Sequence, residues 1–128
     1  MRSRLALAGA ALLVPAVLSA QHVVSARAGL IHHSDGQVFL DDKPLRHKVT
    51  QFPELRENQR LRTEDGRAEI LLTPGIFLRL GPSSGVEMLS TRLWDVRLRL
   101  ISGSAVVEAD EVPKDNSVTL LVGESEVH

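Results

Sequence analysis

The chain has 128 residues, with fifteen basic and sixteen acidic side chains and a net charge of −1. This length predicts a single domain, and the balanced charge together with only 3% aromatic residues argues against nucleic-acid binding. Cysteine is absent, which excludes disulfides, thiolate zinc sites and a cysteine nucleophile.

The first twenty residues have the pattern of a secretory signal peptide. Two arginines precede an uncharged run over 5–18, and the small residues Ser19 and Ala20 follow it. We expect cleavage after Ala20, with cleavage after Ala26 as the alternative. The run is shorter than the roughly 20 apolar residues of a membrane span and contains Pro15. We therefore expect a periplasmic or extracellular protein without a stable membrane span after cleavage; retention of the run as an anchor is the alternative.

The rest of the chain alternates apolar and polar side chains with a period of two. In one such segment Ala68, Ile70 and Leu72 share a face, while Arg67 and Glu69 share the other. Turn clusters rich in glycine, proline and aspartate separate the segments. This pattern predicts an all-β fold, an antiparallel, jelly-roll-like β-sandwich of about ten short strands. The strands are expected over 23–33, 37–40, 45–49, 59–63, 67–72, 76–80, 86–90, 95–101, 105–110 and 117–122.

Two further segments carry weaker signals. The segment 52–58 is the one polar stretch compatible with a short helical turn. The alternation that begins at Val118 is still running near the last residue, His128. We therefore expect residues 21–128 to form one all-β domain that continues beyond the given chain or is truncated at its C-terminus, with the partner strand of 118–122 outside it.

The order of the strand segments is similar to that of a known family. An opening segment, Gly29 to Leu40, reads as a hairpin and precedes four strings: Leu61 to Leu72 (LRTEDGRAEILL), Pro74 to Leu80 (PGIFLRL), Val86 to Leu89 (VEML) and Val96 to Ala105 (VRLRLISGSA). Over about residues 27–122 the chain resembles the FecR-like domain, named for the periplasmic regulator of ferric citrate transport. The resemblance implies an all-β fold, a location outside the cytoplasmic membrane and a protein-interaction role without catalysis.

One difference separates this chain from the signalling members of that family. Those members carry a cytoplasmic sigma-factor-binding segment and a membrane span ahead of the domain. Here four residues and the signal-like run stand in that place. The resemblance is therefore to an exported stand-alone member.

Four residues are candidates for binding. Arg79, Arg97 and Arg99 lie on polar strand faces, where cross-strand ion pairing is the favoured interpretation. The alternative is an anion-binding patch, which would make the protein a periplasmic sensor of an anionic small ligand or metal chelate. Trp94 lies between two strands, either as a core or edge plug or as the anchor for a partner.

Other patterns do not predict chemistry. The segment Gly81 to Gly85 matches the G-x-S-x-G motif of the serine-hydrolase nucleophile elbow, with Ser83 at the serine position. The elbow requires a helix after it, whereas the residues that follow here predict a strand. His32, His33 and His47 lack the spacing of a zinc site, so surface or turn roles are favoured over a metal site. We expect no catalytic residue, no bound metal and no cofactor.

Together these patterns predict an exported, non-catalytic binding domain of the bacterial cell envelope. Its partner is expected to be another envelope protein or an envelope polymer. Open strand edges offer a route to such a partner, and the candidate edges are 118–122 and the hairpin at 29–40.

Overall fold

The computed structural model describes residues 27–46, 51–111, 114–123 and 125–128. Within these ranges the chain forms strands and no helix, which confirms the all-β prediction, and no segment qualifies as a membrane-spanning helix. The expected signal sequence, His22 and His47 lie outside the described residues. The strands are β1 (Leu30–Asp35), β2 (Val38–Leu40), β3 (Lys43–Pro44), β4 (Arg60–Thr63), β5 (Arg67–Thr73), β6 (Ile76–Leu80), β7 (Gly85–Arg92), β8 (Asp95–Ser102), β9 (Ala105–Ala109), β10 (Val118–Val122) and β11 (Ser125–Val127).

The strands form two sheets in a sandwich-like arrangement. The small sheet has the order β1-β5-β6-β9, and the large sheet has the order β11-β10-β8-β7-β4-β2-β3. Among the described pairings all are antiparallel except β8 with β10, which run parallel. The predicted antiparallel sandwich is therefore confirmed apart from this one pair. The reason for the exception is that β9 crosses to the small sheet between β8 and β10, so the chain returns to the large sheet in the direction of β8.

The predicted alternation accounts for the core. Ala68, Ile70 and Leu72 of β5 are buried, and so are alternate residues of β6 and β8. The side chains that are almost fully enclosed come from both sheets: Ile31, Leu61, Ile70, Leu72, Leu78, Leu80, Val86, Met88, Val96 and Leu98. This core is what positions the loops at the ends of the strands.

Strand β9 departs from the pattern of one buried and one polar face. Val106 is 62% exposed and Val107 is 41% exposed, although Val107 lies opposite the buried Leu78 on the core-facing side. The cause is position, because β9 is an edge strand paired only with β6 among the described residues. Its core-facing side is therefore only partly covered.

The N-terminal part of the fold differs most from the expectation. Strand β1 begins at Leu30, so residues 27–29 of the strand expected over 23–33 are not part of it, and 23–26 lie outside the described residues. The short strand Lys43–Pro44 precedes the position of the strand expected over 45–49, of which 47–49 also lie outside the described residues. The expected opening hairpin is also wrong. Strand β1 pairs with β5 in the small sheet, whereas β2 pairs with β3 and β4 in the large sheet.

The segment 52–58 holds no helical turn. It runs alongside β1 instead: the Pro53 carbonyl accepts from the Ile31 N–H at 2.9 Å, and the Leu55 N–H donates to the Gly29 carbonyl at 2.8 Å. Leu55 is fully buried. Burial of this one leucine therefore favours an extended path along the sheet edge over a local helix.

The C-terminal strands also correct an expectation. Strand β10 lies between β8 and β11, so both of its neighbours belong to the given residues and 118–122 is not a sheet edge. Leu120 of β10 is buried in the core. The last segment of the chain is therefore an integral part of the large sheet.

Candidate functional site

The turn between β7 and β8 presents the single tryptophan to solvent. Arg92 and Asp95 form the last cross-strand pair of this hairpin, and Leu93 and Trp94 make the turn between them. Leu93 packs against the core, whereas Trp94 is 64% exposed. The core-plug interpretation of Trp94 is therefore wrong, and the anchor interpretation is compatible with its position.

Trp94 stands beside an open groove of about 580 Å³. We call this feature the Trp94 groove. The hairpin tip borders it together with the segments 27–30 and 54–57, and its lining residues are Arg27, Ala28, Leu30, Glu54, Leu55, Arg56, Glu57, Thr91, Arg92 and Trp94. The groove thus joins three parts of the chain that are far apart in sequence.

Hydrogen bonds from the backbone and from one carboxylate hold these parts together. The Ala28 N–H donates to the Thr91 carbonyl at 2.9 Å, which fixes the N-terminal segment to β7. The Glu57 Oε1 atom accepts from both the backbone N–H of Thr91 at 3.1 Å and its Oγ1 hydroxyl at 3.3 Å. Since Thr91 is only 8% exposed, this carboxylate links the 54–57 segment to a buried position of β7.

The rim of the Trp94 groove offers charges of both signs. Arg92 is exposed and makes no ion pair within the described residues, while Arg56 Nε lies a long 3.9 Å from Glu54 Oε2. Guanidinium groups in such positions donate hydrogen bonds to carboxylates and carbonyls. An exposed indole flanked by loosely engaged arginines is a typical composition for a protein-binding site.

The structure does not bring the three candidate arginines together. Arg79 lies on β6 of the small sheet, whereas Arg97 and Arg99 lie on β8 of the large sheet. Arg79 contacts Glu69 at 3.3 Å and Glu108 at 2.9 Å. An anion site built from all three side chains is therefore not assembled.

The two arginines of β8 have carboxylate partners as well. Arg97 Nε donates to Asp95 Oδ1 at 2.9 Å, and Arg99 Nη1 donates to Glu87 Oε1 at 3.1 Å. Glu87 also contacts Arg60 at 3.3 Å. The favoured interpretation, cross-strand ion pairing, matches the contact of Arg99 with Glu87 on β7, whereas Arg97 pairs with Asp95 along its own strand.

The described histidines do not form a metal centre with neighbouring side chains. His32 Nε2 lies 3.2 Å from Glu69 Oε1, and the His32 ring packs on Phe77 with centroids 5.2 Å apart. No group of three or more metal-binding side chains occurs among the residues that the structure describes. His47, the third member of the alternative metal site, lies outside them.

Ser83 lies in a strand connector. The turn around it leads directly into β7 at Gly85, so the helix that a hydrolase elbow needs is replaced by a strand. The Ser83 N–H donates to the Glu64 carbonyl at 2.7 Å, which ties the turn to the neighbouring loop. The connector interpretation of Gly81 to Gly85 is confirmed.

Sequence reasoning identified Trp94 but missed the rest of the groove. Arg92, Thr91 and Glu57 belong to no motif, and their proximity depends on how β7 packs against the 54–57 segment. The sequence signal for the exposed indole was the pair Leu93-Trp94. Two adjacent apolar side chains in a tight turn cannot both point into the core, so one of them faces solvent.

Comparison with known proteins adds no relative: no family model, no curated protein and no solved structure matches this chain.

Proposed function

We propose that this chain is an exported, non-catalytic FecR-like interaction domain of the bacterial cell envelope. It binds a segment of another envelope protein in the Trp94 groove. The observation that carries the proposal is the 64% exposure of Trp94 beside an open groove of about 580 Å³.

The chemistry of the groove supports a protein partner. A tryptophan that is exposed in the free protein supplies a large apolar area when a partner covers it, and interface hot spots are enriched in tryptophan and arginine. Arg92 and Glu54 on the rim present opposite charges, which suits a polypeptide that carries both donors and acceptors.

The three candidate arginines, none of which lines the Trp94 groove, are poorly suited to the alternative ligand, an anionic small molecule or metal chelate. Such a ligand is held best by several converging cations that have no other partner. Arg79, Arg97 and Arg99 are each engaged with a carboxylate and are divided between two sheets. These three arginines therefore give the sensor role no support.

Export is supported by the N-terminal sequence and by the family resemblance. Two arginines, an apolar run over 5–18 and small residues before the expected cut after Ala20 follow the order of a signal peptide. Cell fractionation with mass spectrometry tests this part: a chain in the periplasm or medium that begins after residue 20 supports it, and a chain found only in the cytoplasm with Met1 retained contradicts it.

The binding role is tested with the proteins encoded beside this chain's gene. Each is purified and titrated by calorimetry with the wild-type chain, with Trp94→Ala and with Ile101→Ala. Ile101 is the matched control, because it is also exposed, at 46%, but does not line the groove. Loss of a tryptophan hot spot costs about 2 kcal/mol or more, so Trp94→Ala is expected to weaken binding roughly 30-fold.

The two variants separate the outcomes. Unchanged affinity for Ile101→Ala together with the loss for Trp94→Ala supports the groove. Equal effects of the two substitutions, or binding of purified cell-wall polymer instead of any protein, would contradict the proposal.

A further inference from the structure

Among the described residues, β9 pairs on one side only, which leaves one edge of the small sheet open. We infer that two copies of this chain pair antiparallel along β9, which joins their small sheets into one eight-stranded sheet around a two-fold axis at Val107. No residue of the Trp94 groove belongs to β9, so this inference does not depend on the proposed function.

The backbone of β9 is arranged for such pairing. Its ladder with β6 is framed by bonds from the Gly81 N–H to the Ser104 carbonyl, at 3.1 Å, and from the Asp110 N–H to the Gly75 carbonyl, at 2.8 Å. In an antiparallel ladder every second residue hydrogen-bonds to the partner strand, and these two bonds show which residues of β9 do so. The residues between them direct their N–H and C=O groups away from β6. The outward groups belong to three residues, none of which bonds outward to another described residue: Ala105, Val107 and Ala109.

The other described sheet edges carry features that block strand addition. Strand β3 is two residues long and consists of Lys43 and Pro44. Strand β1 has a bulge between Ile31 and His33, and the segment 53–55 runs beside it. Strand β11 has only three residues. Charged residues, proline, bulges and short length are the ordinary means of protecting an edge.

Strand β9 lacks the lysine, proline and bulge of these edges, and its one charged residue, Glu108, is paired with Arg79. It contains five residues in unbroken register with β6, without lysine or proline. Val106 and Val107, exposed by 62% and 41%, add apolar area that a further strand would cover. An edge of this kind favours pairing with another strand over exposure to water.

The sequence of β9 fits a second copy of itself. A two-fold axis at Val107 places Val107 opposite its own copy, Ala105 opposite Ala109, and Val106 opposite Glu108. No like charges face each other, and the single acid, Glu108, is already paired with Arg79 at 2.9 Å. This self-complementarity favours a second copy over an unrelated strand.

The expected dimer is reversible. A strand of five residues is short compared with the roughly 20–30 residues on each side of a standard stable interface. We therefore expect monomer and dimer to exchange with concentration, as sedimentation equilibrium of the purified chain can measure.

A charge pair at position 106 tests the register. In the dimer, residue 106 of each copy lies opposite Glu108 of the other copy. Val106→Glu therefore creates two pairs of like charge, whereas Val106→Lys creates two pairs of opposite charge. Within one copy, residue 106 lies opposite Arg79, so glutamate faces an opposite charge there and lysine a like charge. Urea unfolding of both variants therefore accompanies the measurement and shows that each is folded before their dimerisation is compared. Two repulsive cross-strand pairs are expected to weaken dimerisation roughly tenfold, while Val106→Lys retains it at low salt.

A cysteine at the axis provides the second measurement. The chain has no natural cysteine, so Val107→Cys is expected to give a disulfide-linked dimer on mild oxidation, because the opposed Cα atoms of a hydrogen-bonded pair lie about 5.5 Å apart. Ile101→Cys, on the large sheet, is the control and is expected to stay uncrosslinked. A wild-type chain that remains monomeric at high concentration, or equal behaviour of Val106→Glu and Val106→Lys, would overturn the inference.

Discussion

At the scale of single residues, Thr63 organises the connection between β6 and β7. Its side chain is 3% exposed. The Oγ1 hydroxyl donates to the Gly81 carbonyl at 2.6 Å and accepts from the Ser84 N–H at 3.0 Å. Because these groups are shielded from water, each of them loses a bond that solvent cannot replace if the hydroxyl is removed.

Thr63→Val is therefore expected to lower the free energy of unfolding by about 1–3 kcal/mol. The substitution keeps the shape of the side chain and removes only its hydrogen bonds. Thr63→Ser, which retains the hydroxyl, is the control and is expected to lose less. Urea denaturation of the three proteins measures the difference, and a valine variant as stable as the serine variant would contradict this role.

Residue exposure also explains which part of the site could be predicted. Trp94 could be named from the sequence because it is the only tryptophan and lies between two strand patterns. Its exposure could not be derived, since it depends on Leu93 taking the inward position in the same turn. The alternative of one anion-binding patch formed by Arg79, Arg97 and Arg99 could not be judged from the sequence. Alternation shows that each residue lies on a polar face but not to which sheet that face belongs.

At the scale of elements, period-two patterning predicted β5, β6 and β8 well, because both neighbouring strands and the opposite sheet cover them. It also placed strands that overlap β1 and β2, but it did not show that these two strands, adjacent in sequence, belong to different sheets. It also failed to predict the parallel pairing of β8 with β10. These features depend on contacts between distant segments, which local alternation does not encode.

The parallel strand β10 gives an element-scale prediction. Leu120 is 7% exposed and packs in the core opposite Leu98 of β8. Leu120→Ala removes three buried carbon atoms and leaves a cavity, so the free energy of unfolding is expected to fall by about 2–5 kcal/mol.

Thermal and urea unfolding test the contribution of β10. Val122→Ala, at a position on the same strand that is 38% exposed, serves as the control and is expected to cost much less. If Leu120→Ala were as stable as the control, β10 would not belong to the folded core.

At the scale of the whole molecule, the sandwich holds two separate surfaces. The Trp94 groove lies where the β7–β8 turn meets the 27–30 and 54–57 segments, and the open edge of β9 belongs to the small sheet. The proposed partner-binding role depends on the first surface, and the inferred self-pairing depends on the second. A variant that affects only one of the two activities would show that they are independent.

The most direct measurement of the central claim uses Trp94 itself. The chain has one tryptophan and no tyrosine, so its intrinsic fluorescence reports on Trp94 alone. The added protein must therefore contain no tryptophan, or have its tryptophans replaced by phenylalanine. We predict that acrylamide quenches the fluorescence strongly in the free chain and that a protein encoded by a neighbouring gene protects Trp94 when it binds. Quenching that is weak in the free chain, or that stays unchanged when a partner is bound, would contradict the account.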